Sequence, residues 1–166
     1  MRKLPTFIAV AAGAAVAAGG MAMSSAVATP NVDFTTVTHS VGRFAPIDVR
    51  TNSFLPHQVK VKTQGLSDVY VVENTVLPGG HSGWHTHAGP SLVTVKSGEA
   101  TFYDGDDPTC TPHVVKTGEG VIDEGDGHVH LLKNTGTEKL VTVTVQFLPA
   151  GSARRIDAPD PGNCAF

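Results

Sequence analysis

Apolar and polar residues alternate in short runs from Gln58 to Leu148. Val59 and Val61 alternate with Gln58, Lys60 and Lys62, and Asp68–Val76 is rich in β-branched residues. Ser91–Lys96 sets Val93 and Val95 on one face, and Glu99–Tyr103 returns with Phe102. His113–Lys116, Val121-Ile122 and His128–Lys133 are shorter. Leu140–Leu148 is the longest alternation, with Val141, Val143, Val145 and Phe147 against Thr142, Thr144 and Gln146. A period of two is the signature of strands with one face buried. Turn signals separate the runs at Pro78-Gly79-Gly80, Gly89-Pro90, Ser97-Gly98, Thr117–Gly120 and Gly125-Asp126-Gly127. This pattern predicts an all-β sandwich or barrel, with Phe102, Val93, Val95 and Val143 in its core and Trp84 in packing. Thr29–Pro46 is a mixed polar lead-in, either an edge strand or irregular.

The first residues change the picture of where the chain works. Arg2 and Lys3 precede an Ala-rich apolar run from Phe7 to about Gly20, and Ala26-Val27-Ala28 is a small-x-small site. This is the layout of a cleavable signal peptide, residues 1–28, and predicts an exported protein. Residues 29–166 then form a single domain, with a barrel core at about 58–149 and a Pro/Gly-rich tail at 150–166. Cleavage removes two positive charges, taking the formal charge from −3 to −5. No basic patch points to nucleic acid, and no second apolar span points to a membrane after cleavage. The two cysteines, Cys110 and Cys164, lie in the exported part, and an even count there predicts a disulfide.

The chemistry concentrates in Gly79-Gly80-His81-Ser82-Gly83-Trp84-His85-Thr86-His87. On a strand, His85 and His87 point to the same face, whereas on a helix they would diverge by about 200°. Two neutral imidazoles on one face suit a metal ion. A second pair, His128-Val129-His130, follows downstream.

Gly79, His85-x-His87 and Gly98 resemble the first motif of the cupin superfamily. Gly125-x-Gly127-x-x-His130-x-x-x-Asn134 resembles the second, with Gly125 where the family usually has Pro. The resemblance spans about residues 60–149. It implies an antiparallel jelly-roll β-barrel holding one divalent transition metal (Zn, Fe, Mn, Ni or Cu) on His85, His87 and His130. The family's usual glutamate is missing: Ser91 and Leu92 stand at its place. His128, His81, Glu124 or Glu99 could supply a further ligand, or His128, His81 and Glu124 could support the first ones.

Two functions stay open at this point. One is a secreted metal-dependent enzyme, of dioxygenase or isomerase type, on a small polar or anionic molecule. No residue stands out as its general base, though Glu124 or His128 could serve. The other is a non-enzymatic module holding a metal or small ligand. A homodimer is compatible with either. No nucleophile elbow, P-loop, dinucleotide fingerprint or His-Glu-x-x-His is present.

Overall fold

The computed structural model describes residues 27–51 and 57–166. The expected signal peptide lies outside them, apart from Val27 and Ala28. Twelve strands and no helix occur among the described residues, and none of the chain there can cross a membrane as a helix. In chain order they are β1 (Val32–Phe44), β2 (Asp48–Arg50), β3 (Lys60–Lys62), β4 (Ser67–His81), β5 (His85–Thr86) and β6 (Ser91–Ser97). Then follow β7 (Glu99–Asp104), β8 (His113–Lys116), β9 (Gly120–Asp123), β10 (His130–Lys133), β11 (Leu140–Pro149) and β12 (Ile156–Asp157). The main sheet runs β12-β5-β10-β4-β11-β6-β9, with β1 on β4, β7 on β10 and β8 on β7. Every pairing is antiparallel, and the sheet curls into a nearly closed jelly-roll barrel.

The lead-in forms the long strand β1, paired with β4 from Val32↔His81 to Phe44↔Ser67. Arg43 and Asp68 face each other in this register and are joined by two hydrogen bonds of 2.7 and 2.8 Å. Pro78-Gly79-Gly80 does not end β4, as the turn signal suggests. Gly79 takes φ +80° and the strand continues to His81, with a register shift against β1 between Val32 and Phe34. A glycine with positive φ here bends the strand instead of reversing it. The alternation at Val59 and Val61 belongs to a separate two-stranded sheet of β2 and β3, outside the barrel.

One barrel core packs Val76, Val93, Val95, Ala100, Phe102, Val115, Leu132 and Leu140. A smaller cluster of Trp84, Leu131 and Ala158 lies under the C-terminal tail. The expected core position of Val143 is not observed. On β11 the polar side faces in: Thr142, Thr144 and Gln146 are buried, while Val143, Val145 and Phe147 are half-buried on the outer face. Alternation fixes that the two faces differ, not which one is inside. Here the barrel interior is polar, and the inward side chains pair: Thr36 Oγ1 donates to Asn74 Oδ1 (2.8 Å), and Asn74 Nδ2 donates to Thr142 Oγ1 (3.2 Å).

The tail is not loose. β12 pairs with β5, the Ala158 N–H donates to Trp84 O, and Asn163 Nδ2 donates to the carbonyls of Asp104 and Asp107. Cys110 and Cys164 lie at disulfide distance, with Cα atoms 5.2 Å apart. A bridge closing a loop of 54 residues restricts the unfolded chain by about 4 kcal/mol. Cys164→Ser is therefore expected to lower unfolding free energy by about 2–4 kcal/mol, read as a denaturant midpoint. Equal midpoints for the variant and the unreduced protein would show that the two sulfurs are not bonded.

Candidate metal centre

The site follows from strand geometry. His85 opens β5, His130 opens β10, and the two are register partners in the antiparallel ladder. On β10, His130 and Leu132 share the inward face and Leu131 points the other way, to Trp84. His87 lies two residues beyond His85. The three rings converge, with centroids 4.4 Å (His85–His130), 4.9 Å (His85–His87) and 5.4 Å (His87–His130) apart. Each is at least nine-tenths buried, and one ligand atom from each lies within 4.8 Å of the others.

The hydrogen bonds fix the protons. His85 Nδ1 lies 2.9 Å from Gly83 O, and His87 Nδ1 lies 2.6 Å from Arg154 O. A carbonyl only accepts, so each Nδ1 carries the proton and each Nε2 is left with a bare lone pair. Imidazoles oriented through the second nitrogen by a backbone carbonyl are the usual supports of a metal ligand. Burial, with the neighbouring imidazoles adding to it, pushes His85 down to about 2. Burial also lowers His87 and His130, partly offset by the Asp123 carboxylate. All three rings are thus neutral near pH 7, the form that binds metal.

The carboxylate comes from a residue outside the expected set. Ser91 does face inward, and Leu92 points out, half exposed. Ser91 Oγ accepts from Gln146 Nε2 (3.1 Å) and offers no charge. Its cross-strand partner is Asp123, at the end of β9. Asp123 is 7 % exposed. Its Oδ2 lies 3.7 Å from His87 Nε2, and its Oδ1 lies 3.4 Å from His130 Nδ1. This carboxylate stands one strand sideways from the inward position of β6, opposite it on β9. Period two on β9 was the available signal: Val121 packs on the core, so Asp123 faces in and Glu124 faces out.

The loop after β9 holds Asp123 in place. The Gly125 N–H donates to Asp123 Oδ1 (3.0 Å), and the Asp126 N–H donates to His87 O (2.9 Å). Gly125 has φ +69°, and a Cβ there would run into the backbone of Gly89. That contact gives the glycine in place of the family's proline a local reason.

The other candidates fall elsewhere. His81 is outside the cluster; its Nδ1 accepts from the Gly83 N–H (3.1 Å) and shapes the turn into β5. Glu124 is exposed and Glu99 sits at the start of β7, paired across to Lys116. His128 precedes β10 and does not share its ladder, yet its ring stacks beside His130 at 6.1 Å. Asn134 is fully buried and bonds Val76 O and Glu138 O, so it closes the β10–β11 connection.

A cavity of about 60 Å³ opens onto the three histidines, enough for a few waters. Val72, Val93, Phe102 and Leu132 form its apolar wall, and Thr144, Gln146, Arg154 and Arg155 its polar side. Both arginines come from the tail. Arg154 Nη1 donates to Gln146 Oε1 (3.2 Å), and among the described residues no carboxylate pairs with it.

Asp123 Oδ2, on the side of His87, is buried without a hydrogen-bond partner. Unpaired buried polar atoms cost free energy that a bound cation would recover. Ligand bonds of ~2.1 Å in a tetrahedral set place donors roughly 3.4 Å apart; the three histidine donors lie within 4.8 Å of one another, and His87 Nε2 lies 3.7 Å from Asp123 Oδ2. The residues therefore fit a transition-metal ion.

Residues 72–146 match the family Cupin_2, cupin domain. With the antiparallel jelly-roll barrel, this identifies residues 72–146 as a cupin domain. No curated protein matches the sequence. Among solved structures it is similar to an uncharacterised conserved protein with a double-stranded β-helix domain from Klebsiella pneumoniae: 26% identity, 69% of this chain and 84% of that one, TM-score 0.47. It is also similar to a cupin-like protein from Thermotoga maritima (18% identity, 55% and 65% covered, TM-score 0.47). A third likeness is to the polyketide cyclase RemF from Streptomyces resistomycificus (19% identity, 56% and 64% covered, TM-score 0.45).

The neutral, buried rings tie stability to pH. Unfolded histidines take a proton near pH 6.5 and the folded ones do not, so the unfolded state binds more protons as pH falls. His85 alone then contributes about 1.4 kcal/mol of lost stability per pH unit once pH is well below 6.5. The urea midpoint of metal-free protein is expected to fall steadily from pH 7 to pH 5, with a shallower slope in His85→Gln. A flat midpoint over that range would mean the rings are not buried as neutral bases.

Proposed function

We propose that the protein is an exported, metal-dependent cupin enzyme acting on a small carboxylate-class anion. The observation that carries this reading is the convergence of His85, His87 and His130, the first two with a bare Nε2, beside the unpaired Asp123 Oδ2. His85, His87, His130 and Asp123 would hold one divalent transition-metal ion, which supplies Lewis-acid or one-electron chemistry when bound. Three imidazoles and one carboxylate suit Zn, Fe, Mn, Ni or Cu over Mg or Ca. Arg154, charged and half-buried beside the site, binds and orients the anion, and Gln146 holds the guanidinium. The apolar wall limits water, and the cavity volume limits the substrate to a few heavy atoms. An exported location is supported by the leader composition and by the Cys110–Cys164 pair.

A non-enzymatic reading has its own support. Four protein donors close a tetrahedral ion completely, whereas a six-coordinate ion keeps two positions open. The geometry of the ion therefore separates enzyme from scaffold. The test loads metal-free protein with Mn²⁺, Ni²⁺ or Zn²⁺ and titrates formate, acetate and oxalate by calorimetry. Carboxylate binding by the Mn²⁺ or Ni²⁺ form is expected, weakened at least tenfold in Arg154→Met through loss of a charge-assisted bond, with metal content unchanged. Absence of anion binding in every loaded form would leave the scaffold reading.

A further inference from the structure

Asp123 is a wall with two sides. Its Oδ2 faces His87, in the cavity lined by the two arginines. Its Oδ1 faces the other way, toward His130 Nδ1 at 3.4 Å and His128 Nδ1 at 3.8 Å. On that side lies a second, larger cleft of about 490 Å³. It shares Phe102, Asp123 and His130 with the inner cavity and has the opposite electrostatic character. Asp104, Asp106, Asp123 and Glu124 line it with His113 and His128, and no Lys or Arg does.

The donors in this cleft are arranged as ligands more than as ion pairs. Asp123, His128 and His130 each offer one atom within 4.8 Å of the others. His128 Nδ1 and His130 Nδ1 are both buried atoms without a hydrogen-bond partner. Asp104 Oδ1 lies 3.6 Å from the other nitrogen of His128, and Asp104 Oδ2 lies 3.7 Å from His113 Nε2. A carboxylate at Nε2 favours the proton there and leaves Nδ1 bare, as in carboxylate–histidine–metal arrangements. Asp123 Oδ1 already accepts from the Gly125 N–H (3.0 Å), so the two Nδ1 atoms are the unpaired groups on this side. A cation held beside the carboxylate satisfies both.

We infer that the cleft is a second divalent-cation site, built by Asp123, His128 and His130 with Asp104 orienting His128. Asp123 then bridges the two sites through its two oxygens, and His130 belongs to both donor groups, with Nδ1 toward the cleft and Nε2 left for the inner ion. With both ions bound its ring is an imidazolate, the N–H proton released to solvent. The donor set of two imidazoles and a carboxylate selects a transition-metal ion such as Zn²⁺. The cleft shares Asp123 and His130 with the inner site, but its occupancy does not require the inner ion to be present.

The experiment is zinc stoichiometry, by calorimetry and elemental analysis of metal-free protein titrated with Zn²⁺ alone, with circular dichroism as the control for fold. Wild type is expected to take two equivalents per chain. His128→Ala, at a residue one-third exposed, should take one, and Asp104→Asn should weaken the second equivalent roughly tenfold. His85→Ala should retain the cleft ion alone. Two equivalents in His128→Ala, or one in wild type that His85→Ala abolishes, would overturn the cleft site and leave the inner centre standing. One equivalent in wild type that only His128→Ala abolishes would support the cleft and overturn the inner centre instead. No binding in wild type would overturn both.

Discussion

The constraint on which the rest of this molecule depends is the burial of a carboxylate among three neutral imidazoles. Asp123, His85, His87 and His130 lie together inside the barrel, each more than nine-tenths buried. Ionisable groups removed from water need partners, and these have few within the protein. Asp123 Oδ2 and His130 Nδ1 have none. The arrangement is costly as a bare polar core and favourable as a ligand set. Much of the surrounding structure serves to keep it in register: the β5–β10 pairing, the Gly83 and Arg154 carbonyls, and the Gly125 turn against Gly89.

The interior is accordingly divided. One end of the barrel is a conventional apolar core around Val76, Val95, Phe102 and Leu140. The other is polar, with Thr36, Asn74, Thr142 and Gln146 bonded to one another or to site residues. The tail completes this polar end. It pairs with β5, provides the carbonyl that orients His87, and contributes Arg154 and Arg155 to the cavity. The Cys110–Cys164 pair ties the last residues of that tail to the loop after β7. Stability and site geometry are thereby coupled through a segment that carries almost no secondary structure.

Much of the barrel was legible in the alternation, because period two identifies strands without knowledge of their partners. His85, His87 and His130 were legible too, from strand spacing and from the cupin motifs. The buried carboxylate beside them was not, because its place depends on pairing. Ser91 and Asp123 are 32 residues apart in sequence and opposite each other only in the β6–β9 ladder. The face of β11 was assigned the wrong way round at Val143 for a related reason: in a barrel with a polar end, the threonines and Gln146 are the inward set. Pro78-Gly79-Gly80 carries turn residues yet bends a strand, since β1 supplies pairing on both sides of the bend. The tail gave no periodic signal at all, and its contribution to the site comes from a single backbone carbonyl and two arginines.

The most direct measurement is the coordination shell of a metal bound to the inner site, read by X-ray absorption on His128→Ala protein loaded with one equivalent of Zn²⁺. Three imidazole nitrogens and one carboxylate oxygen are expected, with the oxygen lost in a His128→Ala/Asp123→Asn double variant. A shell with fewer than three imidazoles, or one unaltered by the change at Asp123, would show that the buried carboxylate is not the missing ligand.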